Sequence, residues 1–164
     1  MMNLQARQYF AHSPSYPPLR WYGPNSPRAR GRLVAVAMLA DGQLTPAELR
    51  EISAGAMATT VGLERGQFIQ VLFELCEDIE NKLKPNGRAL LDKEIVDQLL
   101  SEVSNPSVRR STLNAIRLAV ACDESIGTDE AKFLRRATEA WDSPERSPKA
   151  VVASRYVCLR PWEG

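Results

Sequence analysis

The sequence is poor in the residues on which most enzymes depend. Its 164 residues include a single histidine, His12, in a proline-rich stretch. A Ser–His or Cys–His nucleophile pair therefore has little to draw on. There are three cysteines, Cys76, Cys122 and Cys158, widely spaced and without a C-x-x-C. An odd number at such spacing excludes a disulfide framework and a zinc site, and suits a reducing compartment. Neither a G-x-G-x-x-G nor a phosphate-binding loop occurs. No apolar run approaches the roughly 18 residues of a membrane span, and Met1 to Phe10 lacks the continuous apolar core of a secretory signal. These absences point to the cytoplasm and away from catalysis.

What is present is an ordinary globular composition with an uneven charge. Hydrophobic residues are 44% and charged ones 25%, enough for one domain to bury a core unaided. Residues 1 to 32 hold Arg7, Arg20, Arg28, Arg30 and Arg32 and no acid, whereas the rest holds 16 basic against 20 acidic residues. Five of the 11 prolines, Pro14, Pro17, Pro18, Pro24 and Pro27, lie in the same stretch. Proline fixes φ and removes a donor, so this is read as an extended arm rather than a helix or central strand. Its aromatics, Tyr9, Phe10, Tyr16, Trp21 and Tyr22, suggest an arm that docks on the body or on a partner. The expected division is an arm over 1–28, a helical domain over 29–142 and a tail over 143–164.

From Arg28 the pattern turns helical. Leu33 to Ala40 is apolar on every side, which predicts a helix buried all round, with a strand as the competing assignment. Thr45-Pro46-Ala47-Glu48 reads as a capping box with proline in the first turn, opening a helix to about Thr60. Further helices are expected over about 65–84, burying Phe68, Leu72, Leu75, Cys76, Ile79 and Leu83, then over 89–103, 107–122 and 128–141. Val151 to Leu159 is ambiguous, with helix preferred. Six or seven helices with short connections predict an all-α bundle.

The chain also repeats itself. A shift of 82 positions lays Val34-Ala35-Val36-Ala37-Met38-Leu39-Ala40-Asp41 on Ile116-Arg117-Leu118-Ala119-Val120-Ala121-Cys122-Asp123. Leu44 then falls on Ile126, Glu48 on Glu130 and Ile52 on Leu134. This predicts a pseudo-two-fold pair of helical hairpins, with Leu44 and Ile126 plugging their loops into the core. Asp41 and Asp123 follow helix C-termini, where the macrodipole disfavours negative charge by roughly 0.3–1 kcal/mol, and the pattern needs a reason.

Two reasons are open. D-G-x-h-[ST]-x-x-E matches the second half of an EF-hand loop, but its first and third positions would be Ala37 and Leu39, and Ala119 and Ala121 in the other copy, so no EF-hand forms. A cation would instead need Asp41, Glu48, Asp123 and Glu130 to converge, which suits Ca²⁺, Mg²⁺ or Mn²⁺. The other reason is capping: an Asx-turn at each Asp and a helix cap at each Glu.

The phrases MLADGQLTPAELREI and VACDESIGTDEAKFL resemble the paired signatures of TerB-like domains, named for tellurite-resistance proteins. The likeness covers about residues 30 to 142. It implies an all-helical fold of two similar halves, divalent-cation binding at Asp41, Glu48, Asp123 and Glu130, and an accessory role in stress response or defence through protein partners. Glu124 stands where the second copy would have glycine, and Gly127 where Ser or Thr is expected.

The rival class is a protein- or nucleic-acid-binding module that uses the arm, with the acidic corners serving only as caps. Arg20, Trp21, Tyr22, Arg28 and Arg30 combine phosphate-neutralising charge with stacking rings. The plainer alternative packs Trp21 and Tyr22 on the bundle and pairs the arginines with its acidic surface. Glu74, Glu77, Asp78 and Glu80 read as a solvated face or a site for a basic partner.

Overall fold

A computed structural model describes residues 19–122 and 126–142. All regular structure among them is helical. Seven α-helices follow in order: α1 Pro27–Met38, α2 Pro46–Ala54, α3 Ala56–Thr60, α4 Arg65–Asp78, α5 Lys93–Ser101, α6 Pro106–Val120 and α7 Thr128–Asp142. α4 runs on through a π turn, Ile79–Leu83, and a 3₁₀ turn, Lys84–Asn86. The expected segment 151–159 and the Pro-containing stretch before it lie outside the described residues.

α1 is the axle of the bundle. Ser26 caps it, its Oγ accepting from the Ala29 amide at 3.1 Å, and Pro27 takes the first position, where a missing N–H is harmless. Ala29 and Gly31 to Met38 are all buried, against α4, α5, α6 and α7. Leu33 to Met38 of the apolar run are therefore helical and fully buried, and the strand alternative falls, whereas Leu39 and Ala40, expected in the same run, lie beyond the helix and are half-buried. The small residues of α1 allow close approach: a Cβ on Gly31 would meet Leu63 Cδ1 at 2.7 Å.

The repeat is visible in the backbone. α1 ends at Met38 and α6 at Val120, 82 positions apart; α2 begins at Pro46 and α7 at Thr128, the same offset. The C-cap residues at equivalent places, Leu39 (φ −98°, ψ 7°) and Ala121 (φ −83°, ψ −3°), turn the chain alike. α1 packs on α6, and Arg30 Nε donates to Thr112 Oγ1 at 3.1 Å, a contact between residues that the same offset makes equivalent.

Several details differ from expectation. The helix expected to reach Thr60 breaks at Gly55, whose φ of +77° is left-handed and ends α2 before α3 begins. The helix expected from Ala89 starts at Lys93, because Gly87 turns left-handed and Asp92 accepts from the Ala89 amide in a turn. On α4, Val71 is buried, whereas Leu72 and Cys76, and Ile79 in the π turn that follows, are only half-buried. Leu44 packs against the core, but Ile126 is 57% exposed and does not plug its loop. The same holds one helix earlier: Val36 is fully buried, while its equivalent Leu118 is 55% exposed.

Candidate functional site

Two features can carry function: the acidic corners after α1 and α6, and the strap of residues 19–26 that leads into α1.

In the first corner, Asp41 is exposed and its Oδ1 accepts from the Gln43 amide at 3.0 Å, an Asx-turn. Glu48 is buried. Its Oε2 accepts from the Thr45 amide at 2.8 Å and from the Thr45 hydroxyl at 3.0 Å, while the Glu48 amide donates to Thr45 Oγ1 at 3.2 Å. That is the reciprocal capping box read from the sequence. In the second corner, Glu130 is buried and its Oε2 accepts from the Gly127 amide at 2.7 Å, the same bond at the same offset. A Cβ on Gly127 would lie 3.2 Å from that oxygen, so glycine at this cap lets the carboxylate come in close. Asp123 lies outside the described residues. Among the described residues, no three His, Cys, Asp or Glu side chains gather into a group that could hold a metal.

The strap is stitched down along its length. Leu19 is buried in the core. The Arg20 amide donates to Asp78 Oδ2 at 3.1 Å, and its guanidinium faces Glu74 at 3.4 Å, Glu77 at 3.0 Å and Asp78 at 3.5 Å. The Tyr22 hydroxyl donates to Glu74, and burial first, then Glu74, raises its pKa. Arg32 stacks over the Tyr22 ring at 4.6 Å and Arg28 lies at 5.9 Å. Asn25, at φ 58°, a conformation asparagine tolerates, accepts from the Ser104 and Asn105 amides at 2.9 Å each. Trp21, between two residues that both reach Glu74, is 67% exposed.

No protein-family model, curated protein or solved structure matches this chain.

The arm residues thus divide by role. Arg20 pairs with the acidic face of α4, which is accordingly not a bare solvated surface. Arg28 joins it, its Nη2 donating to Gln70 at 2.8 Å and its Nη1 facing Glu74 at 3.4 Å. Arg30 meets no carboxylate among the described residues; it donates to Thr112, to Ser111 Oγ at 3.0 Å and to the Thr60 carbonyl at 3.3 Å, and burial pushes its pKa down. The group that sequence reasoning missed is Arg32 with Glu102, a fully buried ion pair between α1 and the end of α5, in which Arg32 also donates to the Arg20 carbonyl. A signal existed: Arg32 directly precedes an all-buried helical run, so at 3.6 residues per turn it has no outward face. Burial, and secondarily Glu80, pushes the Cys76 thiol up, opposite to the shift an activated nucleophile needs.

Proposed function

We propose that this chain is a non-enzymatic accessory module of the TerB-like kind, acting in the cytoplasm by docking a protein partner on its N-terminal strap. The observation that carries this reading is Trp21, displayed between Arg20 and Tyr22, each fastened to Glu74. An indole held by a pinned backbone loses little freedom on binding, and tryptophan, tyrosine and arginine dominate interface hot spots. Phe73, also 67% exposed, borders the same surface as Arg20 and adds a second apolar contact.

The resemblance contributes the setting, stress response or defence, and the matching corners at one offset support its two-similar-halves component. For the corners themselves the hydrogen bonds favour caps, since Asp41, Glu48 and Glu130 each already accept a backbone N–H. Binding of Ca²⁺, Mg²⁺ or Mn²⁺ by these residues with Asp123 is the competing proposal, and thermal melts separate the two.

The partner reading is tested by placing a photo-crosslinking phenylalanine analogue at position 73 in cells, with position 118 as control. A discrete adduct from position 73 that disappears in Trp21→Ala, at unchanged melting temperature, supports it. Identical adducts from both positions, or no dependence on Trp21, overturn it. Nucleic acid is the rival partner: binding with a steep salt slope that is lost in Arg28→Ala and Arg30→Ala would replace the protein reading.

A further inference from the structure

A second surface, remote in sequence from the strap, has the make-up of a small-molecule site. α5, the first turns of α6 and the C-terminal half of α7 border an open cleft of about 660 Å³, inside the range of about 300–1,000 Å³ usual for ligand pockets. Trp141, half-buried, supplies a flat apolar wall beside Leu100 and Ala140. The charges around it do not cancel. Asp97 accepts from Arg136 Nη2 at 2.8 Å and Nε at 3.2 Å, and Glu139 lies 3.9 Å from Arg135. Every carboxylate that lines the cleft therefore has a cation within reach. Arg109 and Lys93, which also line it, form no ion pair with any carboxylate among the described residues. Arg109 is moreover preset: its Nε donates to the Val103 carbonyl at 2.7 Å, which fixes the guanidinium plane and leaves its terminal nitrogens for a ligand.

We infer that this cleft binds a phosphate monoester whose alcohol part bears a flat aromatic ring, a ligand of the nucleoside monophosphate class. The lining carries three cations, Lys93, Arg109 and Arg136, against two carboxylates, Asp97 and Glu139, a positive balance that attracts a phosphate charged about −1.5 to −2 at neutral pH. A guanidinium fork suits its oxygens in a bidentate grip. The indole of Trp141 gives the ring a face to stack on.

The test is titration of the ¹⁵N-labelled full chain with AMP, reading the Trp141 indole N–H, assigned by its loss in Trp141→Phe. Saturable movement is expected with AMP. Adenosine and inorganic phosphate, each carrying half of the recognised chemistry, should bind at least about tenfold more weakly, and Arg109→Lys, which keeps the charge and loses the fork, should cost about tenfold. Lys93→Ala, on an exposed position with no structural bond to lose, should also weaken AMP and flatten its salt dependence. The inference fails if AMP produces no saturable shift, if adenosine binds as well as AMP, or if neither variant changes affinity. Benzoate binding as tightly as AMP overturns the phosphate assignment in favour of a general aromatic anion.

Discussion

Arg32 and Glu102 form an ion pair with both side chains out of contact with solvent, joining the middle of the central helix to the end of α5. Its neighbours are the Tyr22 ring and the Arg20 carbonyl, and Arg32 Nε has no hydrogen-bond partner. Removing one member of such a pair strands the other. Arg32→Met should cost about 3–5 kcal/mol in chemical denaturation, while the double change Arg32→Met, Glu102→Leu should restore most of that loss. A double variant no better than the single would mean that Arg32 acts through its other contacts.

The same pair carries a pH signature. Burial raises the Glu102 pKa above its ordinary 4.5, and the Arg32 charge and hydrogen bond only partly oppose it. The folded state therefore holds this proton more tightly than the unfolded chain does. The contribution is fully present below the unfolded pKa and is lost as pH rises through the raised folded value. Measured as the stability of the native protein minus that of Glu102→Gln, it should fall with rising pH across the acid range. A difference that climbs over that window contradicts the assignment.

Tyr22 should behave in the corresponding way at the alkaline end. With its pKa raised by burial and by Glu74, it stays protonated when an unfolded tyrosine ionises near pH 10. Stability should then decline above that point, and Tyr22→Phe should abolish this part of the decline. At neutral pH the same variant should cost about 1 kcal/mol, the usual net worth of one hydrogen bond. An unchanged alkaline profile in Tyr22→Phe would place the responsible group elsewhere.

At the corners, Glu48→Ala and Glu130→Ala should each cost about 0.5–2 kcal/mol, and Gln at either place less, because its amide oxygen still accepts from the backbone. Caps alone give no response to added Ca²⁺, Mg²⁺ or Mn²⁺. A cation bound only by the folded form must raise the midpoint of a thermal melt, and Asp41→Asn must reduce that rise. The melt thus decides between the two readings.

Two glycines should respond with opposite signs. Gly55 is left-handed, so Gly55→Ala should destabilise by about 1 kcal/mol. Gly66 sits inside α4, and a methyl group added there would have nothing within 4 Å of it, so Gly66→Ala should stabilise by up to about 1 kcal/mol. Circular-dichroism melts of the two variants suffice as a check.

Much of the architecture was legible because its signals are local. Thr45-Pro46-Ala47-Glu48 announces a helix start through the hydrogen bonds that those side chains can make three residues away, and the bonds are present. The apolar faces of α5 and α6 follow from spacing, and the repeat from side-by-side comparison of the chain with itself. What escaped depends on which neighbour covers a residue. Phe73 lies in an apolar-looking stretch of α4 yet faces outward, and Ile126 matches Leu44 in sequence but lacks its cover. The pairing of arm arginines with the acidic surface was legible as charge complementarity, and Arg20 and Arg28 do meet the acids of α4; that Arg30 and Arg32 find other partners was not. Glu102 has no local pattern at all, since its meaning comes from a residue 70 positions earlier.

The way the strap is fastened changes how the protein can be taken apart. A deletion that stops before Leu19 leaves every anchor described for the strap in place, so its effects on binding can be attributed to the segment removed. One that runs to residue 32 also withdraws the cation that neutralises Glu102, together with the first half of the central helix. Loss of binding in that longer deletion would report collapse of the scaffold, and the two cuts, only 14 residues apart, would yield opposite conclusions about the same terminus.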